Sequence, residues 1–372
     1  MSELPLDRGD RSRKGGGMTS ALDTLRAAYT PVRGHLDAAT CGLPTIGTAT
    51  AMHRAVDLWQ DGGACAVSYG RAVEEARAHA ARVFDVPLPW LAVGSQTSVA
   101  VGMVASSLPD GARVVVVEDD FTSVTYPFAQ HAERGVEVVV SSLDALAETV
   151  ARGCDAVAFS LVSSRTGRVA DGDAVVEAAR AVGALTLADL TQAAGWLPLG
   201  TRRFDVTVTS AYKWLSCPRG TAFTTIAPHA LDRLRPTSAG WYASESPWDG
   251  VYGTTPHLAA DARRFDVSPA WLPWVGAVPA LEAYAAVPAE DIQAHDVGLA
   301  NALRDGLDLA PSDSAIVTLP DPDGELRARL EAAGCRVAGR GGGVRIAFHV
   351  WNDVDDVELA LAALVGAPAS VA

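Results

Sequence analysis

One lysine stands apart in this chain of 372 residues. Only two of its 30 Lys and Arg residues are lysines, and Lys14 lies in a leader rich in Gly, Arg and Ser. Lys213 is therefore the only lysine of the predicted globular body. An arginine keeps its charge at any accessible pH, whereas a lysine amine can lose its proton and attack a carbonyl carbon. Chance could also leave one lysine in an arginine-rich chain, so the neighbours of Lys213 decide between the two interpretations.

Asp189 and Lys213 come after consecutive predicted strands. Asp189 directly follows the run Leu185–Ala188, and Lys213 comes shortly after the run Val206–Thr209. Ligands of open parallel sheets bind beyond the carboxyl ends of the strands, so both side chains are expected at one ligand-binding rim. A carboxylate on a pyridine nitrogen and an amine on an aldehyde are what a protein contributes to pyridoxal phosphate (PLP) chemistry. Asp189 alone is more typical of a strand end or helix cap, but with Lys213 it predicts a PLP site.

The elements around these residues alternate between helix and strand. Near-continuous apolar strands with intervening helices indicate an α/β fold whose parallel sheet is covered on both faces. The predicted strands are Arg113–Val117, Val136–Val140, Ala156–Leu161, Leu185–Ala188 and Val206–Thr209. The predicted helices are Arg71–Phe84, Ser98–Ser107, Leu143–Ala151 and Ala174–Val182.

A second, smaller α/β unit follows near the C-terminus. It contains predicted strands at Ser314–Thr318 and Val344–Phe348, and predicted helices at Gly324–Ala333 and Val354–Val365. An irregular stretch rich in aromatic residues separates it from the larger unit. We predict four regions: a disordered leader over 1–17, an N-terminal segment 18–55 that packs on the small domain, a large domain 56–275, and a small domain 276–372.

Composition excludes several classes of function. The net charge is −14 and no basic stripe is present, which argues against nucleic acid and anionic membrane surfaces as partners. No apolar run reaches the length of a membrane span. The five cysteines are scattered without a Cys-x-x-Cys pair, and the histidines show no metal spacing. This pattern predicts a protein of the reducing cytoplasm with no metal site.

The stretch from Phe159 to Phe223 resembles the core of the class V aminotransferases, which are fold-type I PLP enzymes. Two positions depart from the family pattern, because Tyr212 replaces the usual histidine and Cys217 replaces a glycine. The resemblance implies a large domain with a mostly parallel seven-stranded sheet, a small C-terminal α/β domain and a homodimer with shared active sites. The matching motifs are Ser163-Ser164-Arg165-Thr166-Gly167, Asp189…Gln192, Ser210…Lys213 and Cys217-Pro218-Arg219-Gly220.

The resemblance also implies roles for individual residues. Lys213 would form the Schiff base, Asp189 would hold the ring nitrogen, and the ring of Phe121 would stack on the pyridine. Ser95, Gln96 and Thr97 open a helix and would hold the phosphate, as free N–H groups at a helix start can do. The implied cofactor-binding residues are Ser95, Gln96, Thr97, Phe121, Ser164, Asp189, Gln192, Ser210, Tyr212 and Lys213.

Two further residues would complete the site. Ser268, in a segment similar to the family's Arg-Phe-Glu-x-Gly-Thr motif, would reach the phosphate of the partner subunit, with Thr254 and Thr255 as rivals. Arg345 would bind the substrate carboxylate, because a guanidinium grips a carboxylate through two parallel hydrogen bonds. The substrate is therefore predicted to be a small amino acid.

Within the family, the chain most resembles the lyases that cleave hercynylcysteine sulfoxide in ergothioneine biosynthesis. That resemblance implies β-elimination that gives ergothioneine, through a sulfenic acid reduced afterwards, together with pyruvate and ammonia. Cysteine desulfurases need a mobile cysteine before the carboxylate arginine, but Cys335 is predicted to be a buried structural residue. A desulfurase, a kynureninase-like hydrolase, an aminotransferase or a non-catalytic PLP-binding protein remain alternatives. Aromatic faces attract the quaternary ammonium of such a substrate, and the candidates are Trp241, Tyr242, Trp248, Tyr252, Trp271 and Trp274.

Overall fold

The computed structural model describes residues 20–365, so the predicted leader 1–17 lies outside the described residues. A seven-stranded sheet forms the centre of the larger part. Its strands are β1 (Leu91–Gly94), β2 (Arg113–Val117), β3 (Glu137–Ser141), β4 (Ala156–Ser160), β5 (Leu185–Asp189), β6 (Val206–Ser210) and β7 (Ala222–Ile226). They lie in the order β1-β7-β6-β5-β4-β2-β3. The predicted α/β fold with a mostly parallel seven-stranded sheet is confirmed.

Five neighbouring strands, β2 to β6, are parallel, and β7 runs antiparallel to both β6 and β1. The five strands predicted from β-branched runs are these parallel strands, with limits that agree within one residue. Their near-continuous apolar sequences follow from burial on both faces. In β4, for example, Val157 and Phe159 pack into one core and Ala156 and Ala158 into the other.

Helices cover both faces of this sheet. The helices of the structure are α1 (Ala21–Ala27), α2 (Ile46–Gln60), α3 (Ala66–Val83), α4 (Thr97–Ser107), α5 (Thr122–Ala129), α6 (Leu146–Ala151), α7 (Gly172–Val182), α8 (Trp271–Tyr284), α9 (Ala289–Asp305), α10 (Glu325–Ala332) and α11 (Val354–Val365). Apolar residues of α3, α6, α7 and α8 fill the core on one face of the sheet. Residues of α4 and α5 fill the core on the other. The layered arrangement leaves the strand ends open to a ligand.

A three-stranded antiparallel sheet forms the smaller unit. Its strands are β8 (Ile316–Pro320), β9 (Ala338–Arg340) and β10 (Gly343–Ala347), in the order β8-β10-β9. Leu36 from the N-terminal segment packs into the core of this unit, and its backbone N–H donates to the Arg336 carbonyl at 3.0 Å. The domain limits given above stay a prediction.

Within residues 20–365, no helix is long and apolar enough to cross a membrane.

Candidate active site

Lys213 and Asp189 lie at one rim of the large sheet. Asp189 is the last residue of β5, and its backbone pairs with Val208 of β6. Lys213 follows the end of β6 by three residues. Both side chains are buried, with exposed fractions of 3% for Asp189 and 7% for Lys213. The structure therefore brings together the carboxylate and the amine on which the sequence prediction depends.

Burial shifts the pKa of both groups in the direction that favours the neutral form. It raises the pKa of Asp189 to about 6, against the opposing effects of hydrogen bonds from Thr191 and the charge of Lys213. Burial also lowers the pKa of Lys213 to about 8; Asp189 opposes this shift, and the charges of nearby arginines add to it. At pH 7 about a tenth of the amine is thus the free base that nucleophilic and general-base chemistry requires, far more than for a lysine of ordinary pKa.

The backbone that carries Lys213 is held by close approach of other segments. A Cβ atom on Gly42 would lie 2.0 Å from the Lys213 carbonyl oxygen, so only glycine fits there. The Gly42 N–H donates to the Tyr212 carbonyl at 3.0 Å. Ser216 adopts the left-handed region with φ of 55°, and its hydroxyl contacts that of Tyr29 at 2.7 Å. Such a strained residue persists only where its surroundings fix it, as they do here.

The residues predicted to bind phosphate surround the start of α4. Gln96 is the N-cap residue and provides no side-chain cap, so the N-terminus of this eleven-residue helix is open to an anion. The Ser210 hydroxyl lies 2.9 Å from the Thr97 hydroxyl and accepts the Thr97 N–H at 3.2 Å. Ser95 is half-buried, Gln96 is exposed and Thr97 is buried. The residues present fit a phosphate group.

Two aromatic rings flank the lysine amine. Lys213 Nζ lies 5.5 Å from the centre of the Phe121 ring and 5.8 Å from that of Tyr212. Phe121 directly follows Asp120, whose carboxylate accepts the Phe121 N–H at 2.7 Å and the Ser160 hydroxyl at 2.6 Å. Phe121 is 41% exposed, so its ring can cover a bound ligand. Together with Asp189 and the open start of α4, these groups fit PLP.

Gln192 has a role that the sequence did not predict. Its Nε2 donates to the Ala39 carbonyl at 2.9 Å, and its Oε1 accepts the indole N–H of Trp214 at 2.7 Å. Gln192 thereby ties the N-terminal segment to the residue after Lys213. Its predicted contact with the cofactor stays a prediction.

The Arg345 guanidinium is buried, but one of its nitrogen donors has no hydrogen-bond partner among the described residues. One guanidinium nitrogen donates to the Ser164 carbonyl at 2.6 Å, and the other donates to the Thr40 hydroxyl at 2.7 Å. The Asp37 carboxylate lies 3.4 Å away. Nε is buried and has no hydrogen-bond partner among the described residues. Burial lowers the pKa of Arg345 to about 10, which Asp37 opposes. A buried donor without a partner fits an anionic ligand, because an unpaired group is otherwise costly.

Ser268 is not hydrogen-bonded to the Lys213 site within the described residues of one chain. It is exposed, and its hydroxyl accepts the indole N–H of Trp241 at 3.2 Å. Thr254 and Thr255 are also exposed. Among the described residues, no hydrogen bond joins Ser268, Thr254 or Thr255 to the Lys213 site. The predicted role of Ser268 toward a partner subunit stays a prediction.

Several residues near the site were not identified as functional from the sequence. Thr40 and Asp37 contact Arg345, and Arg340 also reaches Thr40. Cys41 is exposed next to Thr40 on the loop whose Gly42 bonds Tyr212. The segment His35-Leu36-Asp37-Ala38-Ala39-Thr40 is similar to the Asn-Asn-Ala-Ala-Thr segment near the N-terminus of class V aminotransferases, and this similarity could have indicated Thr40 and Asp37. Nothing in the sequence distinguishes Arg340 from the other arginines.

This chain is similar to known proteins in sequence and in fold. Isopenicillin N epimerase of Streptomyces clavuligerus is 33% identical over 211 residues, which cover 52% of this chain and 51% of the epimerase, so the match spans about half of that protein. The fold matches the cysteine desulfurase CsdA of Escherichia coli with a TM-score of 0.78 and 18% identity, over 92% of this chain and 97% of the other. It matches the cystine C–S lyase C-DES with a TM-score of 0.80 and 19% identity, over 90% and 97% of the two chains.

The family model for aminotransferase class V matches residues 61–325, which include the rim of the large sheet and most of the residues described above. A C-DES variant of the same fold holds glycine covalently linked to its PLP cofactor. The lysine, the carboxylate and the open helix start of this chain fit that cofactor. The chain therefore belongs to the class V aminotransferase family, and its cofactor is pyridoxal 5'-phosphate.

Proposed function

We propose that this enzyme is a carbon–sulfur lyase that performs β-elimination on a cysteine sulfoxide conjugate, with hercynylcysteine sulfoxide as the first candidate substrate. The observation that carries the proposal is the position of Cys335. It lies between α10 and β9, is 3% exposed and packs in the core of the small unit. Burial raises the pKa of its thiol, which disfavours the thiolate that a nucleophile needs.

The segment before Arg345 also lacks a loop that could carry a thiol to the substrate. Only Gly341 and Gly342 connect β9 to β10. Cys41 is the exposed thiol on the loop beside Tyr212, and its backbone N–H donates to the Asp37 carbonyl at 3.1 Å, which fixes that loop. An oxidised sulfur leaves as a sulfenate and needs no thiol nucleophile, so the site suits a sulfoxide better than a thiol substrate.

The proposed reaction assigns one role to each group. PLP, when bound, withdraws electrons from Cα and acidifies its proton. Lys213 Nζ takes that proton as general base, which its lowered pKa allows. The electron pair of the C–H bond forms the Cα–Cβ double bond, and the pair of the Cβ–S bond leaves with sulfur as a sulfenate. Water then converts the remaining enamine into pyruvate and ammonia. Two equivalents of an external thiol reduce the sulfenic acid to ergothioneine, and they are oxidised to a disulfide while the oxygen leaves as water.

The remaining residues would hold cofactor and substrate in place. Asp189 accepts the Thr191 N–H at 2.8 Å through Oδ1, and a protonated ring nitrogen would be the partner for its carboxylate. Ser95, Gln96, Thr97, Ser210 and Tyr212 would hold the phosphate. Arg345 would bind the substrate carboxylate through its unpartnered Nε, which fixes the amino acid relative to Lys213.

Aromatic residues near Ser268 could bind the quaternary ammonium of the proposed substrate. Trp274 is fully buried against Phe223, and Tyr242 is buried and donates to Glu74, so neither presents a free face. Trp248, Tyr252 and Trp271 are exposed. We propose that these exposed rings serve the distal pocket of a partner subunit.

An apolar face of the chain supports the homodimer that we propose. An apolar groove of about 660 Å³ runs between α2, α3 and α8, and exposed side chains such as Leu58 line it. We propose that a second copy of the chain covers this face and brings its Ser268 to the phosphate. Light scattering of the PLP-loaded enzyme should give twice the mass of one chain, and a monomer would contradict the shared site.

Product analysis tests the reaction. With hercynylcysteine sulfoxide we expect equal amounts of pyruvate and ammonia without an amino acceptor. Sulfur transferred to a protein thiol, an amino group transferred to a keto acid, or cleavage of kynurenine would each identify a different class V activity. Borohydride reduction followed by peptide mapping should label Lys213, and Lys213→Ala should lower kcat by about 10³-fold or more.

Cysteine variants separate elimination from desulfuration. Cys335→Ser and Cys41→Ser should each keep kcat/KM within about twofold, because neither thiol takes part in elimination. A large loss of activity in Cys41→Ser, with cofactor content unchanged, would instead indicate a thiol nucleophile at the rim of the site.

A further inference from the structure

A second guanidinium lies beside Arg345. Arg340 is the last residue of β9, and its Nη2 donates to the Thr40 hydroxyl at 3.2 Å. Arg345 Nη2 donates to the same oxygen at 2.7 Å. Two cationic side chains thus converge on one neutral hydroxyl. We call Arg340, Arg345 and Thr40 the arginine pair site.

The arginine pair site has more positive than negative charge. Asp37, at 3.4 Å from Arg345, is the carboxylate that pairs with it, and Arg340 forms no ion pair within residues 20–365. Arg165, which packs against the turn after Arg340, is instead paired with Asp119. The charge of Arg340 contributes to lowering the pKa of both Arg345 and Lys213, because a nearby like charge disfavours the protonated form. Like charges held together are costly unless an anion joins them.

The backbone holds Arg340 in position. The two-residue turn to β10 uses Gly341 and Gly342, both with positive φ, of 52° and 79°. A Cβ atom on Gly341 would lie 2.8 Å from the Nε atom of Arg165, so the turn is seated against the large unit. Arg340 is exposed, whereas Arg345 is 1% exposed, so Arg340 lies on the solvent side of the pair. A preorganised donor binds an anion at a lower entropic cost than a free side chain.

We propose that Arg340 is a specificity-determining residue that binds a second anionic group of the substrate, beyond the Cα carboxylate that Arg345 binds. The inference rests on the proposed binding of an amino-acid substrate at Arg345. It names the substrate class as amino acids whose side chain ends in a carboxylate or a similar anion. A cysteine conjugate of a betaine belongs to this class, because the betaine half adds a second carboxylate. Free cysteine does not belong to it, because its side chain carries no carboxylate.

Binding of unreactive amino acids to the PLP-loaded enzyme tests the proposal. L-Glutamate, L-2-aminoadipate and L-2-aminopimelate sample three side-chain lengths, and each is compared with its side-chain amide. Dissociation constants come from the change in cofactor absorbance on mixing. At one length or more, the carboxylate should bind about tenfold more tightly than the amide, as expected for one charge-assisted hydrogen bond.

Three variants locate the effect. Arg340→Gln should remove the preference for the carboxylate, and Arg340→Lys should keep part of it. Arg329→Gln is the matched control, because Arg329 is exposed on α10 and forms no ion pair within the described residues; it should keep the full preference. Absence of any preference in the native enzyme, or a preference that survives in Arg340→Gln, would overturn the proposal.

These ligands have no leaving group at Cβ, so the result does not depend on elimination. A preference for the carboxylate in an enzyme that releases no pyruvate from sulfoxide conjugates would contradict the lyase proposal and support this one. Release of pyruvate from sulfoxide conjugates without any preference for the carboxylate would support the lyase proposal and contradict the proposed role of Arg340.

Discussion

Arg77 and Arg345 are buried to the same extent, each with 1% of its surface exposed, and each faces an aspartate. The Arg77 guanidinium binds both oxygens of Asp266, at 2.6 and 3.1 Å, and donates to the Leu91 carbonyl at 2.8 Å. Its Nε donates to Glu74 at 3.0 Å. Arg345 lies 3.4 Å from Asp37, and its Nε has no partner among the described residues.

The difference separates a structural ion pair from a ligand site. Burial opposes the charge of both arginines, but for Arg77 the two carboxylates outweigh it and raise the pKa, whereas for Arg345 burial prevails and the pKa falls to about 10. Asp266 also accepts the Val93 N–H at 2.8 Å, so the Arg77 pair fixes the edge strand β1. A buried charge is tolerated when its donors are bonded, whereas a buried donor without a partner suits an anionic ligand.

Among the substitutions that compare the two arginines, Arg345→Met should have the largest effect on catalysis. In the proposed complex, loss of the guanidinium removes the charge-assisted hydrogen bond that Nε donates to the substrate carboxylate and leaves that carboxylate unpaired, so kcat/KM should fall by about 10³-fold. The melting temperature of the PLP-loaded enzyme should change less than in Arg77→Met, because Arg345 is less completely bonded. Steady-state kinetics and thermal unfolding check both parts. A variant with normal kcat/KM and low stability would place Arg345 with Arg77 as a structural residue.

Arg77→Met should have the opposite pattern. It leaves Asp266 buried without its cation, so the free energy of unfolding should fall by about 3–5 kcal/mol. Denaturant unfolding measures the loss, and the double variant with Asp266→Asn should recover part of it because the orphaned charge is gone. The kcat/KM of the folded, cofactor-loaded fraction should stay close to that of the native enzyme. A selective rise in KM would contradict a purely structural role.

The pH dependence of PLP capture should also differ between variants of the two arginines. The amine of Lys213 attacks only as the free base, and its pKa of about 8 makes capture of PLP by the cofactor-free enzyme rise with pH. The initial rate, followed by absorbance, should increase about tenfold between about pH 7 and 9. Removal of the positive charge in Arg345→Met should move the midpoint upward, whereas Arg77→Met should leave it unchanged. A rate of PLP capture that does not change with pH would show that deprotonation of the Lys213 amine does not limit this rate.

The sequence predicts the parts of this site that lie on consecutive elements. Asp189 ends β5 and Lys213 follows the end of β6, the parallel neighbour of β5, so their meeting follows from the order of these strands. Strands β1 and β7 were not predicted individually, because the four residues of β1 include Ala and Gly and give no β-branched run. The arginine pair site was also missed as a whole. Thr40 and Arg340 are 300 residues apart, and only the packing of the N-terminal segment on the small sheet brings them together.

Thr40→Val should have the smallest effect and tests whether that packing matters for binding. The Thr40 hydroxyl accepts a hydrogen bond from both arginines, and valine keeps the shape without the acceptor. The two guanidinium groups then repel with no oxygen between them, so KM for the amino acid should rise about fivefold while kcat changes little. Thr40→Ser, which restores the hydroxyl, should return KM toward the native value. A fall in kcat at constant KM would instead indicate that Thr40 acts on Lys213 through Gly42, two residues further along the chain. The backbone at Gly42 and Tyr212 positions the base, whereas the two arginines position the substrate, so the two parameters distinguish these roles.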